Sequence, residues 1–117
     1  MSINELEARI EKLQEIPLLL DVYGCLLTDK QKEAVSLYYE EDCSLAEIAD
    51  LHGSSRQAAH NLIERGEMQL QEYEALLHLV EANRRRQDDK EALRALLDAH
   101  VADKEARAQL EEILCRL

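Results

Sequence analysis

The sequence contains no Phe and no Trp, and only one Pro, three Gly and four Tyr in 117 residues. Without large aromatics, any core must be filled by Leu, Ile and Ala. With so few turn formers and β-branched residues, the abundance of Leu, Ala, Glu, Gln and Arg describes strong helix formers almost throughout, and the expected class is all-α. The longest apolar run, Ile16 to Leu20, is five residues, far below the roughly 20 that cross a bilayer. The first dozen residues are acidic and amphipathic, without the basic start and apolar centre of a secretory signal. Cys25, Cys43 and Cys115 are an odd set, widely spaced and without CxxC. Reduced thiols in a cytoplasm explain them better than disulfides do.

Positive charge is scarce too, with 14 Lys and Arg against 25 Asp and Glu, a net charge of −11. A Gly-rich phosphate loop, a nucleophile elbow and a convincing acid–base pair are all missing, so neither enzymatic activity nor a cofactor is expected. Cys43, His52 and His60 are nine and eight residues apart, spacings that match no zinc pattern, and no metal is expected. Glu40, Glu41 and Asp42 point in different directions and read as a solvated charge run. Tyr38 and Tyr39 read as core filler rather than a stacking platform for bases.

What is present is helical periodicity with clear punctuation. Ile3, Leu6, Ile10, Leu13 and Ile16 recur in steps of three and four, which marks one stripe of a first helix. Pro17 disfavours helix at Ile16 and suits the start of a second helix, so a break is expected there. Thr28 to Gln31 ("TDKQ") and Ser44 to Glu47 ("SLAE") are capping boxes, in which the hydroxyl and the third helical side chain satisfy each other's free backbone donors. They should open helices from Asp29 to Tyr39 and from Leu45 to near His52. Gly53 supplies a positive φ for a sharp turn, and Ser54 or Ser55 caps the next helix. Beyond it, Ala59, Leu62, Gly66, Gln69, Tyr73, Leu76 and Val80, widened by Leu70 and Leu77, predict a helix of over twenty residues running to Arg84–Arg86. That arginine cluster suits a helix carboxyl end, and Asp88 and Asp89 suit the start of the next helix. Lys90 to Leu117 carries further leucines with a gap near Ala102 to Arg107, compatible with one helix or two. The expected organisation is an amino-terminal helix over 1–16, a central domain over 17–86 and a helical extension over 87–117.

Residues 44–70 carry the geometry of a helix-turn-helix: a small contact at Ala49 four residues before Gly53, and an apolar corner of Ile48, Leu62 and Ile63. Ser55, Arg56, Gln57, His60, Asn61 and Arg65 are left facing out. Arg suits guanine and Gln or Asn suits adenine in the major groove, while Ser suits phosphate.

"LTDKQ" at Leu27 to Gln31, the Tyr38–Tyr39 pair, the acidic Glu41–Asp42 pair, "SLAEIA" at Ser44 to Ala49 and "SRQA" at Ser55 to Ala58 together resemble the YlxM family. Its domain is similar to region 4 of bacterial sigma factors, a helix-turn-helix bundle without a wing. The likeness covers Asp21 to about Leu79. It implies a cytoplasmic, dimeric, DNA-binding regulator whose gene commonly lies beside that of the signal recognition particle GTPase, with a role in that protein-targeting pathway. The sequence departs from the family at His52 and Ser54, where an apolar residue is usual, and at Ala59, where a larger one is. The amino-terminal helix and the segment after Arg86 are expected to cover the corner thus thinned.

The charge opposes the first function. Thr28 to Gly66 holds four basic and eight acidic residues, whereas duplex DNA attracts proteins largely through cations that displace its counterions. Two readings stay open: DNA binding by the recognition helix, or an adaptor for a protein or ribonucleoprotein of the targeting machinery. In the second, Arg84, Arg85 and Arg86 would meet RNA phosphate or an acidic partner. The stripes from Ile3 to Ile16 and from Leu62 to Val80 are candidate surfaces for a homodimer.

Overall fold

A computed structural model describes residues 2–117, all-α among the described residues: α1 (Ile3–Tyr23), a 3-10 turn (Gly24–Leu26), α2 (Asp29–Tyr39), α3 (Leu45–His52), α4 (Arg56–Leu77), α5 (Leu79–His100) and α6 (Lys104–Arg116). The chain divides into two compact units, Met1–Val80 and Glu81–Leu117.

Both expected capping boxes form. Thr28 and Gln31 exchange side-chain to backbone bonds of 3.2 Å each way, and Ser44 and Glu47 exchange bonds of 3.1 and 3.3 Å. Ser2 and Glu5 close a third box at the start of α1, on the same Ser-x-x-Glu spacing. Gly53 adopts φ 61°, the left-handed conformation that ends α3, and Ser55 caps α4 by accepting from the Ala58 amide at 3.0 Å.

The first unit is built on two apolar clusters. Ile16, Leu19, Leu20, Tyr23 and Leu27 pack against Val35 and Leu70, which joins the carboxyl half of α1 to α2 and α4. Ala34, Ile48, Ala49, Ala59 and Ile63 form the corner of the helix-turn-helix. Ala34 of α2, with Leu37 and Tyr38 packed beside it, covers this corner. Ala34 and Ala59 are both fully buried, so small side chains are what let α2 and α4 close over α3. Gly66 marks the tightest approach, since a β-carbon there would lie 2.7 Å from Val35 Cγ2.

Three sequence expectations are corrected. α1 passes through Pro17 without ending. The proline lacks the N–H that would bond four residues back, at a cost of about 3 kcal/mol, but Ile16, Leu19, Leu20 and Tyr23 bury one continuous face across it. The buried face of α1 also differs from the expected stripe. Ile3, Leu6, Ile10 and Leu13 are exposed, and Arg9 and Lys12, on the row that continues from Ile16, are exposed as well but line a groove.

The third correction concerns α4, which stops at Leu77 instead of reaching the arginines. His78 takes φ 53°, and its amide bonds to the Glu74 carbonyl at 2.9 Å. The Tyr23 hydroxyl donates to Glu74 Oε1 at 2.6 Å and accepts from the Leu79 amide at 3.1 Å, while the same Glu74 oxygen accepts from the Val80 amide at 3.0 Å. A tyrosine from α1 and a glutamate from α4 thereby satisfy two of the free donors that begin α5. Arg84–Arg86 consequently lie within α5, not at a helix end. On α4 the buried residues are Ala59, Ile63, Gly66, Glu67 and Leu70, whereas Gln69, Leu76 and Leu77 face solvent.

Candidate nucleic-acid interface

Every recognition-helix residue singled out from sequence is exposed: Ser55, Arg56, Gln57, His60, Asn61 and Arg65. The helix divides them into two rows. Gln57, Asn61 and Arg65 follow one another at four-residue steps, with Gln57 Nε2 donating to Asn61 Oδ1 at 3.0 Å. That bond holds the two amides side by side along the helix. Arg56, His60 and Glu64 form the neighbouring row, and His60 Nε2 lies 3.5 Å from Glu64 Oε2. Because His60 and Glu64 are each about half exposed, solvent screens that pair.

The second row borders an open groove of about 760 Å³ between the amino-terminal half of α1 and the helix-turn-helix. Arg9 and Lys12 line it from α1, Tyr38 and Tyr39 from α2, and Arg56 and His60 from α4. Sequence periodicity missed Arg9 and Lys12 because the apolar stripe of α1 points elsewhere. The signal available was the row Ala8, Arg9, Lys12, Ile16, which shares a face with the buried residues further along the same helix.

At the floor of the groove Glu67 is 8% exposed. Its two oxygens are satisfied by Lys12 Nζ at 3.2 Å and by the Tyr39 hydroxyl. A buried carboxylate with both a cation and a hydroxyl donor is tolerable where an unpaired one is not. Burial, together with the Glu67 carboxylate beside it, pushes the Tyr39 hydroxyl well above the ordinary tyrosine range. Tyr39 therefore stays neutral and a donor. Tyr38 meets Tyr39 edge to face, with centroids 5.0 Å apart, so the pair acts as groove wall and half-buried filler.

Of the remaining histidine and cysteine residues, Cys43 lines the groove, and burial with nearby carboxylates raises its thiol pKa. The side chain of His52 is 8% exposed, its Nε2 lies 3.4 Å from Glu33 Oε1, and neither ring nitrogen makes a hydrogen bond. The 3.4 Å approach is thus proximity without hydrogen-bond geometry. In the second unit, Arg85 pairs with Glu81 at 3.0 Å and Arg86 bonds Asn83 at 3.1 Å, while Arg84 is exposed.

The charge is divided unevenly. Met1–Val80 holds six basic and sixteen acidic residues, a balance of −10, and Glu81–Leu117 holds eight and nine, a balance of −1. Within the described residues no helix is long and apolar enough to cross a membrane.

Comparison with known proteins agrees with this architecture. Residues 10–113 match the model of the UPF0122 family, described as "Putative helix-turn-helix protein, YlxM / p13 like". A UPF0122 protein of Symbiobacterium thermophilum is 51% identical over 89 residues, 76% of this chain and 83% of the relative. One from Clostridium perfringens is 42% identical over 106 residues, 90% of this chain and 95% of the relative. With a family match across both units and relatives alike over most of their length, the chain belongs to the UPF0122 family of YlxM / p13-like helix-turn-helix proteins.

Proposed function

We propose that this protein is a cytoplasmic, DNA-binding helix-turn-helix regulator that reads the major groove with the first turns of α4. The observation that carries this reading is the exposed row of Gln57, Asn61 and Arg65 at the capped start of a helix held rigidly against α2 and α3. Arg65 suits guanine and the two amides suit adenine, while Ser55 and Arg56 beside the helix start suit phosphate. The balance of −10 in this unit keeps counterion release small, so one copy binds weakly and locally. A homodimer presenting two recognition helices would raise the effective affinity.

The test is an Arg56→Ala/Gln57→Ala double variant. Affinity for duplex DNA should fall at least tenfold with helix content unchanged. Equal affinity for both proteins would remove α4 from the interface.

The uneven charge favours a second reading. Here the chain is an adaptor of the protein-targeting machinery, for instance with signal recognition particle components, and Arg84–Arg86 on the nearly neutral unit meet RNA phosphate or an acidic partner. Charge reversal at Arg84–Arg86 would then abolish partner capture while the Arg56→Ala/Gln57→Ala variant retained it.

A further inference from the structure

Positive charge in the first unit is scarce, and half of it is gathered in one place. Of the six basic residues in Met1–Val80, Arg9, Lys12 and Arg56 line the groove between α1 and the helix-turn-helix. With Glu5, Asp42, Glu64 and Glu67 as its carboxylates, the groove holds three basic and four acidic side chains, a balance of −1 within a unit of −10.

The partners of these groups decide what is left for a ligand. Lys12 is committed to Glu67, which also accepts from Tyr39. Glu5 accepts from the Ser2 amide at 3.3 Å, at the start of its own helix. Asp42 and Glu64 are the local opposition. Arg9 and Arg56 are exposed, and among the described residues neither pairs with a carboxylate. Burial and the Glu67 carboxylate push the Tyr39 hydroxyl up, and the Arg9 charge acts against them, which sets that guanidinium within electrostatic reach of the groove floor. Two unpaired arginines, one from α1 and one from α4, thus border the same groove.

Helical phase gives the groove a target. Arg56, His60 and Glu64 each precede a member of the row Gln57, Asn61 and Arg65 by one residue, so they lie about 100° round α4 from it. An α-helix about 10–12 Å across fills a major groove about 12 Å wide. With the outer row against the bases, the flank a quarter turn away faces the phosphates of one bordering strand. That flank is the one on which α1 stands.

We propose that the groove receives the backbone of this strand, with Arg9 on α1 and Arg56 on α4 as the guanidinium contacts to its phosphates. The planar fork of arginine suits a phosphate bidentately, and its charge is never lost by deprotonation. Such contacts carry no sequence information, but they fix how α4 is oriented in the major groove. The interface thereby extends beyond the helix-turn-helix to the amino-terminal half of α1.

This assignment rests on the DNA reading above, and the experiment separates the two. Fluorescence anisotropy of the full chain is measured against two unrelated random-sequence duplexes across a salt series. It compares the wild type with Arg9→Gln, Arg9→Lys, Arg56→Ala and Lys30→Gln, the last making the same charge change outside the groove. Arg9→Gln should weaken low-salt affinity on the order of tenfold, equally for both duplexes, and make the salt dependence shallower by about one. Arg9→Lys should restore the wild-type salt dependence, and Lys30→Gln should leave affinity unchanged. Wild-type affinity in Arg9→Gln alongside a loss in Arg56→Ala would overturn the α1 contact and leave the DNA reading standing. An equal loss in Lys30→Gln and Arg9→Gln would also overturn it, since net charge rather than the groove would then be responsible. No binding by the wild type would overturn both.

Discussion

Among the described residues, Met1–Val80 buries twelve apolar side chains and carries −10, whereas Glu81–Leu117 buries one, Leu114, and carries −1. Both units are almost wholly helical. Helix formation here follows from local propensity and capping, which the two share. A core requires volume brought together from distant segments, and only the first unit supplies it. Its helix-turn-helix is accordingly rigid but acidic, while the second unit is electrostatically permissive but short of interior.

The contrast can be broken most severely in the first unit. Leu70→Ala removes a fully buried side chain from the junction of α1, α2 and α4, and should cost about 3 kcal/mol in urea unfolding. Gly66→Ala comes next. The added methyl meets Val35 Cγ2 at 2.7 Å, so a loss of about 1–2 kcal/mol is expected, although alanine is the better helix former by about 1 kcal/mol. Shortening Val35 to Ala in the same chain should remove the clash and recover the helix-propensity gain.

Tyr23→Phe deletes the hydroxyl that bridges Glu74 and the Leu79 amide. A loss of about 1–2 kcal/mol should follow, together with faster amide exchange at Leu79. Alkaline pH tests the same tyrosines. Burial first, then the Glu74 or Glu67 carboxylate, raises the Tyr23 and Tyr39 pKa values in the folded state. Their contribution is present in full below the unfolded value of about 10 and is lost as pH rises above it. Tyr23→Phe should therefore flatten the alkaline limb of the stability profile.

The smallest effect has the opposite sign. His52 buries two ring nitrogens without hydrogen bonds, so His52→Leu should stabilise the first unit by about 1 kcal/mol. An unchanged or lowered midpoint would mean that the ring is satisfied in solution.

Much of the first unit was legible in the sequence because its signals are local. Thr28–Gln31, Ser44–Glu47 and Gly53 each state their geometry within a few residues, and the exposure of Arg56, Gln57, His60, Asn61 and Arg65 follows from helical phase. The features that were missed depend on partners far along the chain. Pro17 sits inside α1 because burial on both sides outweighs the lost bond. The break at His78 has neither Gly nor Pro to announce it and is set by Tyr23, more than fifty residues earlier. Arg9 and Lys12 entered the groove because the most regular apolar stripe of α1 is the one left facing solvent. Periodicity identified that stripe but carried no information about which side would be covered.

The most direct measurement is fluorescence anisotropy of the full chain against a random-sequence DNA duplex across a salt series. Arg56 and Arg65 are the two cations offered by each recognition-helix start. With about 0.9 counterion released per phosphate neutralised, the logarithm of the affinity should fall against that of salt with a slope near −2 per bound copy from these two alone. Arg56→Ala, which removes the cation placed at phosphate, should reduce the slope by about one. No binding at tens of micromolar protein in low salt, or a slope that Arg56→Ala leaves untouched, would contradict DNA recognition by α4.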